Sequence, residues 1–187
     1  MGEAFEIRTA RLRIRSWRDE DIEPHAAMNA DPRVMEFFPS VMSREESTAA
    51  LARARERIVE RGFSFWPVEE VSGASFIGMV GLSIPSFPAP FMPAVEIGWR
   101  LAPDHWGKGY ATEAACAVLA HGFDRLGLPE IVAFTTVANA RSRRVMEKLG
   151  MGHAPEDDFL HPVIPEGHPL RPHVLYRLRR ADFDPGR

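Results

Sequence analysis

Trp106-Gly-Lys-Gly-Tyr-Ala-Thr-Glu-Ala114 places two glycines between a strand-like and a helix-like stretch. Glycine lets the chain turn with positive φ and lets a ligand approach the backbone closely. The N–H groups of Gly107, Lys108, Gly109, Tyr110, Ala111 and Thr112 can then converge at a helix N-terminus, an arrangement suited to a phosphate or pyrophosphate. The spacing is not that of a P-loop, because Gly-x-x-x-x-Gly-Lys-Ser/Thr is absent. Nor is it a dinucleotide fingerprint, since Thr112 stands where a third glycine is needed. A glycine pair taken alone reads first as a plain turn.

The stretch just upstream, Val95 to Leu101, alternates. Val95, Ile97, Trp99 and Leu101 share one face of a strand; Glu96, Gly98 and Arg100 share the other. Glu96 is therefore a carboxylic acid on the polar register of the strand that leads into the glycine loop. A second concentration of titratable groups comprises His153, Asp157, Asp158, His161, His168 and His173. Its spacings match no tight ligand motif, so no metal is expected. His161 and His173 read as loop-anchoring or substrate-pocket groups.

These residues need a scaffold, and the chain supplies its elements in order. Arg11 to Arg15 alternates as a first strand, with Arg13 and Arg15 on a solvated face. Acidic Asp19, Glu20 and Asp21 precede a helix towards Met28, with Pro24 tolerated in its first turn. Ser43 and Glu46 have capping-box spacing ahead of a helix that ends near Gly62. Phe63–Val68 and Phe76–Ile84 read as a hairpin around Ser72-Gly73. Pro85 to Pro93 holds four prolines and two phenylalanines, which excludes regular structure. Apolar residues from Ala111 to Phe123 recur at helical spacing, with Gly127 as a stop, and Glu113 fits the dipole of the first turn. A strand over 131–137, a helix over 140–149 closed by Gly150, a loop over 155–173 and a strand over 174–178 complete the chain. The expected fold is α/β in the mixed α+β sense, with a twisted mixed central sheet flanked by helices.

The 187 residues suit one domain, 1–187, with a core that needs neither disulfide nor metal. The single Cys116 sits among Ala and Val as a packing residue and fits a reducing compartment. A net charge of -3 with interspersed signs argues against nucleic acid as a partner. No signal-type segment opens the chain, and no apolar stretch reaches the roughly 20 residues of a membrane span, so a cytoplasmic location without a membrane is expected.

Three blocks together carry a family resemblance: Glu96-Ile-Gly-Trp-Arg-Leu101, Trp106 to Ala114, and Asn139-Ala-Arg-Ser-Arg-Arg-Val-Met-Glu-Lys-Leu-Gly-Met151. The chain resembles the GNAT (N-acetyltransferase) superfamily, in its RimJ/RimL-like branch, over roughly Thr9 to Leu178. In the family's Gln/Arg-x-x-Gly-x-Gly/Ala pattern, Gly109 and Ala111 fill the last two positions. Trp106 replaces Gln/Arg, as is common in this branch. The resemblance implies acetyl-CoA as co-substrate, with its pyrophosphate on the backbone of Gly107 to Thr112. It implies that main-chain groups of Trp99, Arg100 and Leu101 pair with the pantetheine arm like an added strand, and that Asn139 hydrogen-bonds the coenzyme.

The implied reaction is attack of a primary amine on the thioester. The amine must be neutral, yet a lysine-type amine has a pKa of about 10.4, so a carboxylate is needed as base. Glu96 is the candidate, against a plain solvated or ion-paired strand residue. The position that carries a thiolate-protonating tyrosine in many relatives is Met146 here. Ser142, one helical turn beyond Asn139, offers a hydroxyl instead, or serves as a helix-cap residue. Arg141, Arg143, Arg144 and Lys148 read as a solvated basic helix face. Phe38, Trp66, Phe87 and Phe91 are candidates for the wall of an acceptor pocket. The acceptor is a small-molecule amine or a protein N-terminus, and the protein a monomer or homodimer. The alternative is a catalytically weak acetyl-CoA-binding sensor or partner-binding module.

Overall fold

The computed structural model describes residues 5–186. Strands β1 (Glu6–Arg8) and β2 (Leu12–Arg15) pair antiparallel, and two helices follow, α1 (Ile22–Ala30) and α2 (Arg44–Arg61). An antiparallel meander comes next: β3 (Phe65–Glu70), β4 (Gly78–Ser83) and β5 (Glu96–Leu101). Then come α3 (Tyr110–Asp124), β6 (Glu130–Thr136), α4 (Ala140–Lys148), the short strands β7 (Gly152–His153) and β8 (Phe159–Leu160), and β9 (Pro172–Arg179). The sheet order is β1-β2-β3-β4-β5-β6-β9-β7, with β8 also on β9. Every pairing is antiparallel except β5 with β6. The mixed sheet flanked by helices is the expected architecture. β1, β7 and β8 lie in stretches too short for a periodicity to reveal.

Alternation along each strand sorts the two faces. Leu12 and Ile14 on β2, Trp66 and Val68 on β3, Val80 and Leu82 on β4, and Ile97 and Leu101 on β5 pack against Ala115, Val118, Leu119 and Phe123 of α3. The other face carries a smaller core of Trp17, Met28, Val34, Met35, Leu51 and Phe76, gathered around α1 and α2. The capping box forms as its spacing predicts: Ser43 accepts from the Glu46 N–H, and Glu46 accepts from the Ser43 N–H at 2.7 Å. Gly62 closes α2 with φ 81°.

Arg15 is not on a solvated face. It is only 3% exposed. Its guanidinium makes two parallel 2.8 Å hydrogen bonds to Asp21 and a 2.5 Å bond from Nε to Glu69. The layer of α1 and α2 covers this side of β2, so a buried cation there must be matched by carboxylates. Glu113 is also more than a dipole partner. It accepts from Thr9 Oγ1 at 2.5 Å, from the Arg11 N–H at 3.0 Å and from Arg11 Nε at 2.7 Å. This ties the start of α3 to the chain entering β2.

Candidate active site

The decisive geometry is where β5 and β6 part. They share a single register pair, Glu96 with Val132. The Val132 N–H donates to the Val95 carbonyl at 2.9 Å, while on the opposite edge the Ala102 N–H donates to the Ile77 carbonyl at 2.9 Å. Backbone polar groups alternate sides along a strand. Those of Trp99 and Leu101 therefore point to the β6 side, where β6 has already diverged. The Leu101 carbonyl is taken by the indole of Trp106, whose Nε1 donates to it at 2.8 Å. The Trp99 groups and the Leu101 N–H stay available to a ligand that lies in the wedge.

The glycine loop stands at the end of the same wedge. Gly107 has φ 73° and Gly109 has φ 81°, both left-handed conformations that favour glycine. Gly109 is the N-cap of α3, with no side chain capping the helix. The first bond of the helix runs from the Glu113 N–H to the Gly109 carbonyl at 3.0 Å. The N–H groups of Tyr110, Ala111 and Thr112 precede it and have no intrahelical acceptor. Arg11 braces the loop through Nη1 to the Lys108 carbonyl at 3.0 Å, and its guanidinium lies 4.7 Å over the Tyr110 ring.

Wedge and loop open into one cavity of about 840 Å³. Of the sequence-predicted residues it brings together Glu96, Trp99, Arg100, Leu101, Gly107, Gly109, Tyr110, Ala111, Thr112, Asn139, Ser142 and Phe38. Lys108 is not in its wall; its Nζ rests 5.9 Å from the Tyr110 ring. Trp66 does not belong to the pocket. It is 0% exposed, on the α3 side of the sheet, stacked on Phe5 at 4.2 Å. Phe87 and Phe91 stand one layer back, against the wall residue Phe134 at 5.7 and 5.8 Å.

Glu96 faces the α1 side together with Gly98 and Arg100, as the alternation predicts. Burial pushes its carboxyl up to about 7, against the pull of a 2.6 Å hydrogen bond from Ser83 Oγ. Gly98 leaves room beside it, since a Cβ there would meet the Phe65 ring at 3.0 Å. His161 and His173 join this part of the wall, their rings 4.9 Å apart, and burial holds both imidazoles below the usual range. Asn139 caps α4: Oδ1 accepts from the Ser142 N–H at 3.1 Å, and Nδ2 donates to Thr135 at 3.0 Å. Ser142 is thus the capped residue and not the cap. Met146 is buried at 2% exposure. Arg141 is not a merely solvated side chain. It pairs with Glu36 at 2.5 Å and lies 4.6 Å over the Trp106 ring.

Sequence reasoning missed Ser83, Phe65 and Phe134. The hairpin register across β4 and β5 carries the signal for Ser83, but only once Ser83 is set opposite Glu96. Among the described residues no group of three or more His, Cys, Asp or Glu side chains is placed to hold a metal ion. No described helix is long and apolar enough to cross a membrane.

The model of the acetyltransferase (GNAT) domain family matches residues 11–152. The chain belongs to the GNAT acetyltransferase family. This GNAT domain is 32% identical over 179 residues to the uncharacterized N-acetyltransferase YnaD of Bacillus subtilis, covering 95% of this chain and 99% of that one. A GNAT-family acetyltransferase structure from Bacillus anthracis superposes with TM-score 0.77 at 29% identity, covering 95% and 99% of the two chains. A spermidine N-acetyltransferase from Vibrio cholerae, in complex with CoA and spermine, shares the fold with TM-score 0.72 at 19% identity over 93% and 98%. In this GNAT domain the β5–β6 wedge, the loop at α3 and Glu96 all line the one cavity.

Proposed function

We propose that this chain is a single N-acetyltransferase domain of the RimJ/RimL-like branch, working in the cytoplasm. It would transfer acetyl from acetyl-CoA directly to a primary amine. The observation that carries this is the placement of Glu96. Its proton affinity is near neutral, and it faces the same cavity as the open edge of β5 and the donor cradle at Gly107–Thr112. Those donors suit a pyrophosphate and the amide-bearing arm of a coenzyme. The spermidine enzyme that shares this fold supports a primary amine as acceptor.

Each group then has a task. Glu96, ionised above pH 7, takes a proton from the bound ammonium and leaves a neutral amine with a lone pair for attack. The amine nitrogen forms the C–N bond, and the carbonyl oxygen becomes an oxyanion. An N–H on the open edge of β5, that of Trp99, stabilises the charge. Collapse restores the carbonyl and breaks the C–S bond, and the proton that the nitrogen sheds in becoming an amide passes to the departing thiolate. A thiol of pKa about 8.5 leaves readily, and Ser142 supplies a hydroxyl for its solvation. Apolar walls exclude water that would otherwise hydrolyse the thioester.

The test is thiol release from acetyl-CoA with a panel of small-molecule amines and peptide N-termini, for wild type and Glu96→Gln. Turnover with at least one amine, reduced about 100-fold or more in the variant, is expected. Binding of CoA without turnover on any amine would favour the sensor reading.

A further inference from the structure

Arg100 does not present its main chain to the wedge, contrary to the sequence expectation, because its backbone polar groups face Met79 of β4; its side chain lines the cavity and has no task in the chemistry above. It leaves β5 on the same face as Glu96, four residues further along. Nη1 donates to Asn29 Oδ1 at 2.6 Å, and the guanidinium stacks 4.3 Å over the Phe38 ring. Asn29 is itself fixed: its Nδ2 is 3.1 Å from His25 Nε2 and 3.2 Å from Ser47 Oγ. His25 brings no second positive charge, since burial pushes it down to about 4 and keeps it neutral. Arg100 Nε is shut off from solvent with no acceptor among the described residues, and no described Asp or Glu forms an ion pair with the guanidinium. Burial alone pulls its pKa down to about 10, so it remains a cation at neutral pH. The contrast is Arg15, a fully buried guanidinium that is matched by two carboxylates, whereas Arg100 is half-buried and faces the cavity. A half-buried cation held at a cavity wall without its counter-charge is placed to receive one from a ligand.

We infer that Arg100 is an oxyanion-binding site within the cleft, and that it selects amine acceptors that also carry a carboxylate. Its face of the sheet favours the acceptor as the source, because Glu96 shares that face. A phosphate of the coenzyme is the other source of the same chemistry. At about 3.3 Å per strand residue, the Glu96 and Arg100 Cα atoms stand roughly 13 Å apart. The acceptor must join its amine and its carboxylate through a chain that spans the gap between the two side chains, so the probes below vary that length. The inference rests on the acetyltransferase reading for its assay but not for its binding test.

The experiment compares glycine, 4-aminobutyrate and 6-aminohexanoate, each with its neutral amide, as acceptors for wild type, Arg100→Gln and Arg100→Lys. The wild type is expected to prefer at least one acid over its amide by about 10- to 100-fold in kcat/KM, mostly through KM. The preference should fall to about one in Arg100→Gln and be only partly kept by lysine, which lacks the planar fork. Asn29→Ala, which releases the guanidinium, should reduce the same ratio if the Arg100 variants fold poorly. If no acid is preferred, yet Arg100→Gln weakens CoA binding tenfold and leaves binding of S-acetylpantetheine unchanged, the oxyanion is a coenzyme phosphate. A wild type with neither an acid preference nor such a coenzyme effect overturns the site. If no amine is acetylated, the enzymatic reading fails by itself. Calorimetric binding of the same acids and amides to the CoA-loaded protein then decides on Arg100.

Discussion

Ser83 donates a 2.6 Å hydrogen bond to Glu96 across the β4–β5 pairing, the main interaction opposing the burial that lifts this carboxyl to about 7. The pair sets the pH at which the proposed base becomes available. The acidic limb of kcat/KM is expected near pH 7, with activity rising as Glu96 ionises. Removing the hydroxyl in Ser83→Ala removes a group that favours the ionised form, so the limb should move to higher pH. A pH–rate profile of the two proteins checks this; an unmoved limb would assign it to another group.

The same carboxyl affects stability with a definite sign. Its folded pKa, about 7, lies above the ordinary glutamate value of 4.5, so between these values the folded protein holds a proton that the unfolded chain releases. Stability contributed by the protonated form is full below about pH 4.5 and is lost as pH rises through 7. The loss is at most about 3 kcal/mol. Glu96→Gln keeps the hydrogen-bonding shape without the charge. It should therefore be more stable than wild type at pH 8 and nearly equal at pH 4.5. Urea unfolding at the two pH values reads the difference.

Gly109 at the start of α3 and Gly62 at the end of α2 share φ 81°. A side chain at either costs about 1–2 kcal/mol of backbone strain. Only Gly109 lies in the cavity wall. Gly109→Trp should weaken acetyl-CoA binding by at least tenfold in calorimetry, whereas Gly62→Ala should lose stability alone. Equal binding by both variants would remove the coenzyme from this loop.

Arg15 holds Asp21 and Glu69 in a buried cluster. Arg15→Gln leaves buried Asp21 without its cation, while Glu69 keeps Arg13 at 3.0 Å, and should cost about 3 kcal/mol in denaturant unfolding.

Trp106 closes the end of β5 by capping the Leu101 carbonyl. Trp106→Phe keeps most of the ring and strands that acceptor, at a cost of about 1–2 kcal/mol. For a chain of this size that is a Tm drop of about 3–6 °C, measurable by calorimetry.

The strong periodicities were legible from the chain. The strand at Glu96–Leu101, the helix at Tyr110–Asp124 and the capped start of α2 each follow from local rules that tertiary contacts reinforce. The glycine loop was legible because a left-handed turn leaves glycine as its mark. What lay beyond reach were relations across the sheet. Arg15 reads as exposed until α1 and α2 are known to lie over it. Trp66 reads as a pocket wall because strand alternation gives two faces without saying which one holds the ligand. Ser83 and Asn29 have no local motif at all, since their partners are 13 and 71 residues away.

The single bridge between Glu96 and Val132 also divides the molecule. On one side lie β1 to β5, on the other β6, β9, β7 and β8; that rung, the helices behind it and the packing of Phe87 and Phe91 on Phe134 and Phe159 join them. A ligand that bonds to the open edge of β5 while touching α4 would supply the missing rungs. Filling the cleft would thus stiffen the junction between the two parts of the sheet. Amide protons of Trp99 and Leu101 would exchange through local opening when the cleft is vacant, and only with global unfolding when it is filled.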